Sequence, residues 1–370
     1  MSCRRLFFLS FFFMSLLPRL TAQELTFVTI NIWSGLDYKG TLKMGEYETR
    51  EVRKARYAQL VAELKALKPD VIALNEANPL PRYARRLARD LGYDYIYNVG
   101  MSGLKLGCLG IPTNFREGDA ILAKKSLRLR KVGVKRLSSG AGLISNMASI
   151  HFAESNQAIA GRIRAGDRTI YVVNTHLHAG VPDHERWRRE VDRMGEAGSM
   201  TEVDYQTLLD TWHASITRRQ NETQALLNWM RAKLPGDARV VLMGDFNAEP
   251  NSEEITWVLT DDFVDTWSPL HGPNAAGFTW DPQRNTNIQA FYHLPDPGDG
   301  TLSAYERLDA LNTQVARRID YIFVKNVPAQ YIQRSEIVLD RAPDGQHPSD
   351  HFGVLTTIQF DSIQTEIIAE

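Results

Sequence analysis

The sequence predicts an α/β fold in which mixed β-sheets are covered by helices. Short runs rich in β-branched and aromatic residues recur along the 370-residue chain, bounded by Gly, Pro, Asn or Asp. Two longer segments repeat apolar residues at helical spacing, and in the first half a helix leads directly into a buried strand. Strand-like runs that pair around residues 120 to 176 complete the pattern of mixed sheets with helical layers.

Residues 25–30, Leu-Thr-Phe-Val-Thr-Ile, open as a strand. Tyr57, Leu60, Val61, Leu64 and Leu67 then share one helical face. Lys68-Pro69-Asp70 ends that helix, because proline lacks a backbone N–H and its ring forces the preceding residue out of helical geometry. Residues 71–74, 120–123 and 169–175 read as the next strands. Leu209, Trp212, Ile216, Thr223, Leu227, Met230 and Leu234 form a second apolar stripe, closed by Pro235-Gly236. Strands at 239–243, 318–324 and 353–358 follow. Both stripes are core faces, not cofactor boxes. The segments 99–118, 179–205 and 281–316 are expected as long loops, which serve as binding loops or as surface excursions.

Composition bounds the class of protein. A hydrophobic content of 43% and a charged content of 24% are ordinary for a globular chain of this length, which can bury a large core. A net charge of −1 leaves no overall electrostatic footprint for nucleic acid or an anionic membrane, although a local basic groove fits inside such a total.

Residues 1–22 read as an export signal: Arg4 and Arg5 form the charged start, residues 6–17 the apolar stretch, and cleavage is expected after Ala22. Twelve apolar residues are too few to span a bilayer, which takes about 20, so an uncleaved anchor is the weaker alternative. Loss of the segment removes three arginines and takes the net charge from −1 to about −4. Of the two cysteines, Cys3 lies in the signal and Cys108 is left without a disulfide partner or a neighbouring base. Residues 23–370 then read as one domain, with no internal repeat or low-complexity tract.

The chemistry lies at the ends of the strands. Asn31, Glu76, Asn174-Thr175-His176, Asp245 with Asn247, Asp320, and Asp350-His351 each follow or precede an apolar run. An uncompensated buried charge costs several kcal/mol, so such groups belong where a metal ion or a phosphoryl group supplies the partner. Singly, each has a plainer reading: Asn31 as a turn cap, Glu76 as a helix-start acid, His176 as a core histidine, Asp320 as the partner of a neighbouring arginine. Six such strand ends in one chain are hard to explain as six accidents. No zinc cluster, P-loop, dinucleotide fingerprint or nucleophile elbow occurs in the sequence.

Taken in order, Asn31-Ile32-Trp33, Leu74-Asn75-Glu76, Asn174-Thr175-His176-Leu177-His178, Gly244-Asp245-Phe246-Asn247, Arg317 to Phe323 and Ser349-Asp350-His351-Phe352-Gly353 resemble the endonuclease/exonuclease/phosphatase superfamily. The run 174–179 is most similar to its neutral sphingomyelinase branch. The resemblance implies a four-layer sandwich of two mixed β-sheets flanked by helices, with the active site where strand ends converge. It also implies a metal-dependent phosphoric ester hydrolase. Glu76, Asn31 and Asp350 would hold Mg²⁺, with Mn²⁺ as the alternative ion. His351 would take the proton of the attacking water, oriented by Asp320, with Asp245 the alternative acceptor. Asn247 and His176 would bind phosphoryl oxygens, and His176 could also protonate the leaving oxygen. The substrate expected is a lipid-type or other small phosphodiester, acted on outside the cytoplasm. A secreted nuclease is the first rival, and a non-catalytic binding protein on the same fold the second.

Overall fold

A computed structural model describes residues 23–37, 46–102, 105–106, 109–110, 116–138, 142–144, 148–151, 156–180, 185–273, 275–291 and 300–360. The export segment, Cys108 and most of the apolar segment 103–112 lie outside these residues.

Twelve strands build two six-stranded sheets. In chain order they are β1 (Gln23–Asn31), β2 (Val71–Asn75), β3 (Tyr93–Ser102), β4 (Arg116–Lys124), β5 (Arg130–Arg136), β6 (Gln157–Ala165), β7 (Arg168–His176), β8 (Arg239–Asp245), β9 (Phe263–Asp265), β10 (Asp320–Lys325), β11 (Ile332–Val338) and β12 (Gly353–Phe360). The first sheet runs β11-β12-β1-β2-β4-β3 and the second β9-β10-β8-β7-β6-β5. Each has a single parallel pair at its centre, β1 with β2 and β7 with β8, and antiparallel pairs elsewhere. Parallel neighbours need a crossover. Helix α1 (Arg50–Leu67) supplies the first, and α3 (Glu185–Glu196) with α4 (Glu202–Lys233) the second.

The sheets face each other across an apolar interior. Phe27, Val71, Ile121 and Ile358 of the first sheet join Ile159, Val172, Val241 and Ile322 of the second in one buried cluster. On the outer face of the first sheet, α1 and α2 (Arg82–Leu91) cover Val28, Ile30, Leu74 and Leu122. On the outer face of the second, α4 and α5 (Glu253–Thr260) cover Val173, Leu242 and Phe323. The four-layer sandwich expected from the sequence is the architecture observed.

All seven expected strands are present. The described parts of the three expected loops include regular structure. Val99–Ser102 and Arg116–Gly118 belong to β3 and β4, residues 185–196 form α3, and the third segment carries helices α6 (Thr286–Phe291) and α7 (Ala304–Thr313). The face of α4 also differs from the expected stripe. It buries Ser215, Arg219, Glu222 and Thr223 beside Leu208, Leu226, Leu227 and Met230, because Arg219 pairs with Glu254 at 3.3 Å inside the layer. A buried arginine is tolerated there only because the carboxylate comes with it.

Candidate active site

The topology gathers the polar strand ends at one edge. Asn31, His176 and Asp245 are the last residues of β1, β7 and β8, and Glu76 directly follows β2. Asp320 opens β10, opposite Asp245 in the antiparallel register, and Asp350-His351 precede β12. Parallel strands therefore contribute their C-terminal ends and antiparallel ones their N-terminal ends, so every expected site residue arrives at the same edge.

Asp245 is the hub. Its Oδ2 accepts a hydrogen bond from Asn31 Nδ2 at 3.0 Å and lies 3.6 Å from His176 Nε2 and 3.9 Å from His351 Nε2. Its Oδ1 accepts the Asn247 backbone N–H at 2.9 Å, and its own N–H donates to Asn75 Oδ1. The other hydrogen of the Asn31 amide nitrogen goes to Glu76 Oε1 at 2.9 Å, and Ser34 N–H donates to Glu76 Oε2 at 3.1 Å. Asn31 Oδ1 is taken by Trp33 N–H at 3.0 Å, so this amide bridges the two carboxylates through nitrogen. As an oxygen donor to a cation it would have to use its remaining lone pair or turn over. Asn247 gives one amide hydrogen to Leu177 O at 3.0 Å and keeps the second.

His351 is held from the other side: Asp320 Oδ2 lies 2.8 Å from its Nδ1, and the Asp320 backbone N–H is fixed by Thr279 Oγ1. Burial opposes a charged ring here, but Asp320 first, then Asp245 and Asp350, outweigh it and push the His351 pKa up to about 10. The ring thus keeps its proton at neutral pH. Asp245 has the opposite tendency: burial and the Asp320 charge raise its pKa, against the pull of His351, His176 and Asn31. This environment disfavours His351 as the acceptor of a proton and favours Asp245.

Asp350 accepts from Ser349 Oγ, and burial together with the Glu76 charge pushes its pKa up to about 6, against the pull of His351. The single Ser349 hydroxyl hydrogen is shared with Asn31 O, which lies closer at 2.6 Å, tying the two ends together. Asp245, Asp320 and His351 bring ligand atoms within 4.8 Å of one another, a metal-capable group among the described residues, in which His351 Nδ1 faces Asp320 and Nε2 faces Asp245.

Backbone conformation adds to the positioning. Trp33, Glu76 and Asn247 sit at φ 52°, 55° and 48°, in the left-handed region that costs a non-glycine residue about 1–3 kcal/mol and clusters at functional sites. Gly244 has φ 136°, and a Cβ there would lie 1.9 Å from the Thr175 carbonyl oxygen of β7. Gly244→Ala is expected to push Asp245 off its parallel neighbour, lowering activity more than tenfold and the melting temperature by several degrees. Wild-type melting and turnover in that variant would remove the need for glycine.

Two neighbours escaped sequence reasoning. Asp119, buried on β4, accepts from Asn75 Nδ2 at 2.7 Å. Burial and Glu76 raise its pKa to about 6, against the pull of His176. Trp280 packs edge-on to His351 with ring centroids 5.3 Å apart. Neither stands in a recognisable motif; the apolar strand in which Asp119 interrupts the pattern was the only signal. His178 presents its backbone N–H to Glu222 and lies beside the site rather than in it.

A sequence model of the Endonuclease/Exonuclease/phosphatase family matches residues 28–351. Curated relatives named tyrosyl-DNA phosphodiesterase 2 match part of the chain. The Bos taurus protein is 26% identical over 155 residues, covering 40% of this chain and 38% of that protein. The Homo sapiens protein is 24% identical over 150 residues, covering 40% and 36%. The match therefore spans little more than a third of the length of those relatives. Among solved structures, an endonuclease/exonuclease/phosphatase family protein from Bacteroides thetaiotaomicron has a TM-score of 0.54 at 16% identity, covering 92% of this chain and 100% of that one. D. rerio TDP2 complexed with single strand DNA product has a TM-score of 0.51 at 16% identity, covering 90% and 98%. At these identities the likeness establishes the fold alone.

Proposed function

The chain belongs to the endonuclease/exonuclease/phosphatase family of phosphoric ester hydrolases, and from that premise we propose that it cleaves a phosphodiester with a divalent cation. The observation that carries the proposal is the single oxygen of Asp245 set 3.6 and 3.9 Å from two imidazole Nε2 atoms and hydrogen-bonded to the amide that reaches Glu76. A water beside that oxygen loses its proton to Asp245 as it attacks phosphorus. His351, kept protonated by Asp320, donates to a phosphoryl oxygen where negative charge builds up, and His176 and the free Asn247 N–H complete the cradle. Both histidines face the same carboxylate oxygen, so His176 is assigned first to the phosphoryl group and only second to the leaving oxygen.

The donor set fits a hard cation. Glu76 and Asp350 present two carboxylates, and the Asp350 pKa is raised first by burial and then by the Glu76 charge, against the pull of His351. Glu76 and Asp350 would hold Mg²⁺ or Mn²⁺, which supplies charge stabilisation at a phosphoryl oxygen. Glu76→Gln is expected to weaken metal binding, read by titration calorimetry with Mn²⁺, and to lower turnover at least tenfold. Unchanged metal affinity would remove Glu76 from the site.

For the substrate, relatives named for a DNA phosphodiester favour a DNA-type substrate. The run 174–179 favours the rival, a sphingomyelinase-like lipid phosphodiester; the apolar segment 103–112 suggested for lipid lies outside the described residues. Purified chain with Mg²⁺ is to be assayed on bis(p-nitrophenyl) phosphate, on single-stranded DNA and on sphingomyelin in detergent micelles. Chelator-sensitive cleavage of the first supports the phosphodiesterase, and failure on all three overturns it. Phosphocholine release without DNA cleavage promotes the lipid reading.

Export is part of the same proposal, supported by Arg4-Arg5, the apolar stretch 6–17 and Ala22. N-terminal sequencing of the exported protein is expected to begin at Gln23, and an intact Met1 start would refute cleavage.

A further inference from the structure

The edge strands β3 and β5 of the two sheets flank a groove of about 650 Å³ that plays no part in the chemistry above. It lies at the opposite end of the strands from the site. Tyr93, on the groove wall, pairs with Lys124 at the end of β4, whereas Asn75 and Glu76 stand at the other end of the neighbouring strand. That places it roughly 15 Å or more from Glu76, at about 3.3 Å per strand residue.

Arg85 and Arg89 reach the groove from α2, and Lys125, Arg128 and Arg130 from the turn into β5, against a single lining carboxylate, Asp94. Arg89 is paired with Asp90 at 2.9 Å. The other four cations have no carboxylate within 4.0 Å among the described residues, and all four are exposed. Arg85 Nε donates to the Tyr95 hydroxyl at 3.2 Å, which aims the guanidinium along the tyrosine wall. Arg128 projects from a left-handed backbone at φ 50°, a conformation set by the turn that closes onto Lys125 O. In a chain of net charge −1, such a local excess of positive charge is not a by-product of composition.

We propose that this groove binds a small anion carrying two or more phosphate groups. Several like charges held around one concavity repel each other until an anion offsets them, and guanidinium forks match phosphate oxygens in pairs. A volume of about 650 Å³ is that of a small-molecule site. The separation from Glu76 sets it apart from the scissile phosphodiester. The proposal is independent of which phosphodiester the active site cleaves.

The test is calorimetric titration of the full chain with inorganic tripolyphosphate in metal-free buffer at 150 mM NaCl, for wild type, Arg128→Ala/Arg130→Ala and Asp245→Asn. One site per chain is expected in wild type and in Asp245→Asn, with affinity at least tenfold weaker in the double variant. Hydrolysis of bis(p-nitrophenyl) phosphate should be unchanged in the double variant, since neither side chain touches the catalytic edge. No binding by wild type, or equal binding by the double variant, overturns the proposal. So does the case in which only phosphatidylserine vesicles or single-stranded DNA respond to the double variant, because the groove would then serve a macromolecular surface.

Discussion

Asp245→Asn is expected to lower kcat about a thousandfold, within the range for loss of a positioned general base, and to leave the melting temperature close to that of wild type. Asparagine keeps the shape, but its one carbonyl oxygen can accept from Asn31 or from the Asn247 backbone N–H and not from both. What it loses is the charge and the basicity of the oxygen that faces both imidazoles. The stability forecast follows from the sign of the pKa shift. Burial and Asp320 raise the Asp245 pKa above its unfolded value. Its contribution to stability is therefore full below the unfolded carboxylate pKa and is lost as pH rises through the folded one. Burial disfavours the ionised form, and the neutral amide relieves that cost while losing one of the two accepted hydrogen bonds. Steady-state kinetics beside thermal melting will read both effects. A kcat within tenfold of wild type would return the base role to His351, and a large fall in melting temperature would make Asp245 a structural group.

Much of this site was legible because the strands that carry it are the buried central ones. A central strand covered on both faces must be continuously apolar, so polar residues at its end stand out. Asn31, Glu76, His176, Asp245, Asp320 and His351 were all found that way, and all reach the same edge. The outer strands were harder to see. Residues 130–136, Arg-Lys-Val-Gly-Val-Lys-Arg, and 157–165, with three alanines and two arginines, lack the apolar run that marks a strand. They are strands because neighbours in the sheet offer hydrogen bonds, a contribution no local window contains. Helix α4 hid its true face for a related reason: Arg219 and Glu222 look like surface residues until Glu254, His178 and Arg218 are brought alongside. The base assignment was likewise undecidable locally, since it depends on carboxylates from three separate segments converging on His351.

The same kind of long-range placement makes Arg56 the position where substitution should cost most stability. It lies on α1, is 5% exposed, and spends its whole guanidinium on partners far apart in sequence. Nε and Nη2 grip Glu48 at 2.8 and 2.7 Å, Nη1 donates to Ile32 O at 3.0 Å and Pro348 O at 2.8 Å, and Nη2 reaches Trp33 O at 3.4 Å. One side chain thus pins the segment that follows Asn31 to the segment that precedes Asp350 and His351. Arg56→Ala would leave the buried Glu48 carboxylate only Arg53, at 3.6 Å, and would unpair two or three buried carbonyls, a loss of about 3–5 kcal/mol by analogy with broken buried ion pairs. Arg56→Lys keeps the charge but cannot bridge all these acceptors, so it should restore only part of the stability, and turnover should fall further than the melting point suggests as the two ends separate. The double change Glu48→Gln with Arg56→Met separates charge from architecture. It removes the stranded carboxylate, so it should melt above Arg56→Ala yet remain poorly active, because only the Ser349–Asn31 hydrogen bond named above is then left to tie these two segments. Wild-type melting in Arg56→Ala, or full activity in the double variant, would show that the site edge holds its shape without this guanidinium.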